Sequence, residues 1–156
     1  MTQGQPERKE SPVSTYDIRL ADVRVLSIQF ESLVVPKVAY DTNAVFDVRP
    51  GKLLRTEPTF FEVGLTLRID FAESAHKLRP FNAEFSVAGI YKHKEGLPEP
   101  VRDYFVSING PIMLWPYMRE LVASTTARAG FPPLLITTLD VPRMRALAET
   151  RPQQQK

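Results

Sequence analysis

The sequence predicts an α+β fold, a four-stranded antiparallel sheet followed by a long helix and a C-terminal helix, on three observations. Two segments alternate apolar and polar residues with period two. After Gly96 the period becomes helical, and proline or glycine marks the places where helices begin and stop. With 156 residues, 43% of them hydrophobic, the chain is long enough for one domain with a substantial core and short for two.

That domain is expected over residues 15–150. The arm 1–14 and the tail 151–156 carry Gly, Pro, Gln, Ser and charges with almost no large apolar side chain. Burial cannot offset the entropy of ordering them, and both are read as disordered. The clearest strand is "FEVGLTLRIDF", where Phe61, Val63, Leu65, Leu67, Ile69 and Phe71 form one dry face. "FNAEFSVAGIY" repeats the pattern, with Phe81, Ala83, Phe85, Val87 and Tyr91 on one face and Asn82, Glu84 and Ser86 on the other. The two are expected to pair across "AESAHKLRP". In "YDIRLADVRVLSIQFESL", Ile18, Leu20, Leu26, Ile28 and Phe30 are in phase, while Val23 and Val25 are out of phase. Either a bulge lies near Asp22 or the segment is buried on both faces. "VAYDTNAVFDV" is a fourth strand ending at a turn, "RPGK".

"EPVRDYFVSI" predicts a short helix, and Asn109-Gly110-Pro111 reads as the cap of the next one. There Trp115, Met118, Val122, Thr125 and Ala129 recur at helical spacing, flanked by Leu114 and Leu121. Pro116 lacks a backbone donor, which is cheap only near a helix start. Gly130 suits the left-handed position after the last turn, Phe131 can fold back, and Pro132-Pro133 forbid continuation. In "LDVPRMRALAET", Asp140 is the expected N-cap and Met144, Leu147 and Ala148 the apolar stripe.

Composition excludes several kinds of chemistry. There is no cysteine, and His76 and His93 are too far apart for a metal-binding pair on one helix. No nucleotide, nucleophile-elbow or zinc-protease motif occurs, so no cofactor and no metal are expected. Glu62, Asp70 and Glu84 share one sheet face, which reads as solvated rather than as an acid/base site, and His93 reads as a surface residue of the turn "YKHKEG". A net charge of +2 and one short basic cluster, Lys92 and Lys94 beside Tyr91, do not make a nucleic-acid surface. The polar N-terminus and the lack of a membrane-length apolar run predict a soluble cytoplasmic protein. What remains is an apolar surplus outside the regular strands: Tyr40, Phe46, Trp115, Phe131, Leu134, Leu135, Ile136, Val141, Met144 and Leu147. Core packing accounts for each singly; together they leave open an exposed groove or an oligomer interface.

The segment "LWPYMRELVASTTARAGFPPLLITTLDV" resembles the SecB family of protein-export chaperones. The family's aromatic-Pro-aromatic start falls on Trp115, Pro116 and Tyr117, followed by Arg119. Its basic residue before a Gly-Phe-Pro-Pro-Leu break falls on Arg128 and Gly130 to Leu134, and the Asp before the last helix on Asp140. "FNAEFSVAGIY" and "LSIQFESL" are similar to the family's last and first strands. The match runs from about residue 16 to 148.

The resemblance implies a homotetramer built as a dimer of dimers, and ATP-independent holding of unfolded precursor proteins for the SecA motor, without enzymatic activity or membrane insertion. It places client contacts at Tyr40, Phe131, Leu134, Leu135 and Met144 and the SecA-facing surface at Ser27, Glu31, Asn82 and Glu84. The helix interface falls at Ala123, Ser124, Thr126 and Ala127, whose small side chains permit close approach. The chain departs from the family in being basic. Ser27 and Asn82 stand where Asp and Leu are usual, and "RPQQQK" replaces an acidic tail. These departures leave a second expectation open: a SecB-like relative dedicated to one client, such as an antitoxin, with weak or no SecA binding. An α+β enzyme using Glu62, Asp70 and Glu84 is the third reading.

Overall fold

The computed structural model describes residues 16–35, 43–72, 78–143 and 146. Strands β1 (Arg19–Ser32), β2 (Ala44–Glu57), β3 (Phe60–Phe71) and β4 (Phe81–Lys92) precede helices α1 (Glu99–Tyr104) and α2 (Gly110–Arg128). All strand pairs are antiparallel and the order is β1-β4-β3-β2, so β1 and β2 are opposite edges.

The two clear strands behave as their alternation requires. Phe61, Val63, Leu65, Leu67, Ile69 and Phe71 are buried, and they face the same side as buried Phe81, Ala83, Phe85, Val87 and Tyr91 of the paired β4. In β1 the bulge alternative holds. One extra residue lies between Leu20 and Asp22 and another between Val25 and Ser27. The two bulges bring Leu20, Val23, Val25, Ile28 and Phe30 onto the helix-facing side, opposite inward residues of β4.

Two expectations fail at the edges of elements. "RPGK" is not a turn: β2 runs through it with a bulge, Arg49 pairing with Thr66 and Lys52 with Gly64, and the chain turns at Pro58-Thr59. Proline and glycine signal a break in either case, and a bulge on an edge strand tolerates both. Nor is Asn109 a cap. It has helical angles (φ −69°, ψ −41°) and ends a π-helical turn, Phe105–Asn109, joining α1 to α2. The extra residue of that turn rotates helix α2 by about 100°. Phe105, Val106 and Ile108 are thereby buried along with Leu114 and Trp115. Pro116, the seventh residue of helix α2, lies inside it rather than near its start, with its ring on the exposed side.

Gly110 N–H closes the π turn on the Phe105 carbonyl, and Pro111 has no N–H for the next bond. The Val106 carbonyl is left facing Gly51 in the β2 bulge, where a missing side chain makes room for it. Helix α2 then lies on the sheet along one ridge, with Leu114, Met118, Val122 and Thr126 fully buried. The stripe expected at Thr125 falls instead on Thr126, because the contact follows every fourth residue; Thr125 is half-buried. The helix stops as its sequence dictates. Gly130 has φ +88°, its N–H bonds Ala127 O, and Phe131 turns back onto Phe81, ring centroids 5.3 Å apart.

Tyr91 is fully buried in this core and donates its hydroxyl to the Gly110 carbonyl at 3.0 Å. Burial, and secondarily Tyr117, push its phenol well above the usual value of 10.0. The unfolded chain ionises near pH 10 while the folded chain holds the proton, so stability present below pH 10 is lost as pH rises beyond it. Tyr91→Phe is expected to cost about 1 kcal/mol at pH 7 and to flatten the alkaline limb of a urea-denaturation profile.

On the outer sheet face, Arg24 reaches over β4, where Ala88 is small, and its Nε donates to Glu62 Oε1 at 2.8 Å. Glu62 is only 5% exposed, so this guanidinium is what makes its burial tolerable.

Candidate binding groove

Beyond Phe131 the chain has no regular structure until the helical residues 141–143. This linker is nevertheless held at both ends. Leu134 N–H donates to Thr126 Oγ1 at 2.9 Å, the Trp115 indole N–H donates to Thr137 O at 2.8 Å, and Ile136 is buried between them. Asp140 accepts the Arg143 N–H at 3.0 Å, the N-cap expected from the sequence.

A groove of about 550 Å³ opens between this linker and β2. It is lined by residues 44–48, by Trp115, by residues 136–140 and by Arg143. Side chains of a strand point alternately to opposite faces, so five consecutive residues can line one groove only if the strand's edge faces it. Among the described residues β2 pairs with β3 alone, and its other edge carries backbone donors and acceptors turned to the groove. Trp115, Phe46, Val48, Ile136 and Leu139 make the lining apolar; Thr137, Thr138, Asp47 and Asp140 add polar groups. A surface of this kind buries apolar side chains and bonds an extended main chain.

A second cleft, about 560 Å³, lies at the opposite edge between β1 and α2, lined by Leu20, Val23, Val25, Tyr117, Leu121 and neighbours. Val25 and Ile28 face the helix side of the sheet yet remain 51% and 45% exposed, because α2 does not extend over them. Glu62, Asp70 and Glu84 do not form an acid/base set but are dispersed onto separate arginines. Glu62 binds Arg24, Asp70 binds Arg79 at 3.4 Å, and Glu84 binds Arg49 at 3.1 Å.

Sequence comparison matches residues 17–152 to the family described as preprotein translocase subunit SecB. The chain belongs to the SecB family. The protein-export protein SecB of Anaplasma marginale is 30% identical over 114 residues, 71% of this chain and 64% of that relative, so the chain spans less than two thirds of its length. The SecB of Hyphomonas neptunium is 28% identical over 138 residues, covering 88% and 81%. A SecB-like chaperone of Mycobacterium tuberculosis, solved with a peptide from the HigA1 antitoxin, shares the fold. Its TM-score is 0.66 at 22% identity, over 81% of this chain and 93% of that one. No helix among the described residues is long and apolar enough to cross a membrane.

The SecB resemblance marked specific residues, and the structure places them unevenly. Of the client contacts, Tyr40 and Met144 lie outside the described residues, as do the arm 1–14 and the tail 151–156. Phe131 is 4% exposed and packs in the core, Leu134 is half-buried against it, and Leu135 is 76% exposed. None of these three lines the groove. Its walls come from Phe46, Trp115 and Ile136, which belong to the apolar surplus, and from Val48 and Leu139, which lie outside that surplus and outside the expected client contacts. The four residues that the resemblance marks for SecA lie on the outer sheet face. Glu31 pairs with Asn82 in register, Asn82 Nδ2 donating to Glu31 Oε2 at 3.2 Å, and Ser27 pairs with Ser86, next along that face of β4 from Glu84. On α2, Ala127 is exposed and Ala123 and Ser124 are half-buried. Thr126 departs from the interface reading: it is fully buried within the chain and its hydroxyl holds the linker.

Proposed function

We propose that the chain is a cytoplasmic, ATP-independent holdase that keeps unfolded precursor polypeptides in the groove between β2 and the linker and delivers them to SecA for export. The observation that carries this reading is the groove itself, where an apolar wall faces a strand edge that joins no further strand among the described residues. Main-chain bonds and apolar burial are both indifferent to most of a client's sequence, so they suit a protein that must hold many chains. Neither needs a cofactor. The names of the export relatives support the same reading.

A second reading, a chaperone dedicated to one client such as an antitoxin, is favoured by the outer face. Arg49 already occupies Glu84 and Asn82 already binds Glu31, so a cationic partner meets carboxylates that are engaged within the chain. The M. tuberculosis neighbour binds an antitoxin peptide. One pair of measurements decides: suppression of aggregation of a generic refolding protein, beside binding to SecA. Protection with SecA binding supports export. Protection of a single client without SecA binding supports the dedicated role, and no protection at any ratio overturns both.

The assembly we propose is a homotetramer, a dimer of dimers in which the cleft beside β1 and the Ala123, Ser124 and Ala127 side of α2 meet other copies. Its support is the uncovered apolar surface of Val25 and Ile28. Light scattering is expected to give four times the 17.7 kDa chain mass. A monomer at micromolar concentration would contradict it.

A further inference from the structure

We propose that Thr126 is a positioning residue for client binding: it fixes the linker as the wall of the groove without touching the client. This rests on reading the groove as the client site. Thr126 is 0% exposed and does not line the groove. Its bonds bracket the linker's break. Its carbonyl accepts Phe131 N–H at 3.1 Å, and its hydroxyl oxygen accepts Leu134 N–H at 2.9 Å. Between these two donors stand Pro132 and Pro133, which have none. Every N–H from Phe131 to Leu134 is therefore taken by one residue.

The hydroxyl is itself oriented, lying 3.0 Å from the Val122 carbonyl and 3.1 Å from that of Ala123, so its proton points into the helix and its lone pair toward Leu134. Three turns earlier on the same helix, Trp115 makes the next attachment, to Thr137. The stretch between them, including buried Ile136, is suspended at two points, and the groove wall 136–140 begins where the second is made. Valine at 126 keeps the shape and removes the acceptor. The half-buried Leu134 N–H then lacks its partner and the linker shifts toward water to recover one. A groove whose wall is no longer fixed binds an extended chain less tightly, since the wall must be ordered anew at each binding event.

The experiment measures the dissociation constant for a reduced, unfolded model protein at 10 °C with the full chain, after circular dichroism has shown each variant folded. Thr126→Val is expected to weaken binding about tenfold and to shift the emission of Trp115, the sole tryptophan, to the red as its bond to Thr137 loosens. Thr126→Ser, which keeps the hydroxyl, is expected to stay within twofold of the parent in both readouts. A folded Thr126→Val that binds like the parent overturns the proposal, as does a folded Thr126→Ser that has lost affinity. Thr126→Ala replaces the valine variant should that one fail to fold, with the same expectation. A purely structural role lowers the melting temperature and leaves both 10 °C readouts alone. Absence of client binding by the parent chain would instead overturn the groove reading itself.

Discussion

Alanine at Gly51 is expected to destabilise the protein by about 3–4 kcal/mol, a large part of the 5–15 kcal/mol that holds a domain of this kind together. A Cβ there would lie 2.8 Å from Pro111 Cγ and 3.2 Å from its Cδ, and closer still to the Val106 carbonyl oxygen. Two of the three obstacles are ring atoms and the third is helix backbone, so no side chain can swing aside. Either the bulge of β2 must move away from the helix or the π turn must lift, carrying the buried Phe105 and Val106 with it. Gly96 offers the contrast: its φ is +85° and a Cβ there would meet nothing within 4 Å, so alanine costs about 1 kcal/mol of backbone strain. Urea midpoints of the two variants compare the effects directly, and a Gly51→Ala protein as stable as Gly96→Ala would contradict this docking.

Glutamate at Phe46 is expected to weaken client binding 30- to 100-fold, about 2–3 kcal/mol, while the chain stays folded. Phe46 stands on the edge strand, half-buried, and lines the groove opposite the linker. The substitution removes the largest apolar side chain that β2 contributes there and puts a carboxylate where a client's apolar group must sit dry. Phe46→Leu keeps an apolar wall and should stay within about threefold. Equal binding by the parent and Phe46→Glu proteins, measured by titration with an unfolded polypeptide, would place clients elsewhere.

The parts of this fold that are legible in the sequence are those in which one residue decides one contact. The alternation of Phe61 to Phe71 and of Phe81 to Tyr91 writes the two central strands directly into the side chains. The phase slip at Val23 announces the β1 bulge, and Gly130-Phe131-Pro132-Pro133 announces both the helix stop and the fold-back. Arg49-Pro50-Gly51-Lys52 and Asn109-Gly110-Pro111 mislead for a common reason. Both are local break signals, and whether the break becomes a turn or an irregularity inside a continuing element depends on a partner distant in sequence. Here the two irregularities are partners of each other, Gly51 facing Val106 and Pro111.

The groove is half legible. Phe46, Trp115 and Ile136 stand out as apolar residues without an obvious strand or stripe to bury them. The motif nevertheless draws attention to Phe131 and Leu134, which the fold uses for its own core. A strand edge leaves no trace in sequence, because its donors and acceptors are backbone atoms that nearly every residue type carries. Thr126 illustrates a related limit. Small and late in the helix, it has the character of a residue for close helix approach, and its role emerges only from the acceptor it presents to a chain eight residues onward.

The placement of β1 and β2 at opposite edges has a consequence for how tightly a long chain is held. Were protomers to meet through the β1 side as proposed, the β2 side would stay accessible, self-association and client capture would not compete for surface, and each added copy would bring one more groove. An unfolded polypeptide spanning several grooves is then retained by rebinding: release at one point leaves it tethered at the others, at a high local concentration of the vacated site. In that assembly individual grooves could stay weak enough to let go quickly, and residence time would be governed by how many a client is long enough to reach.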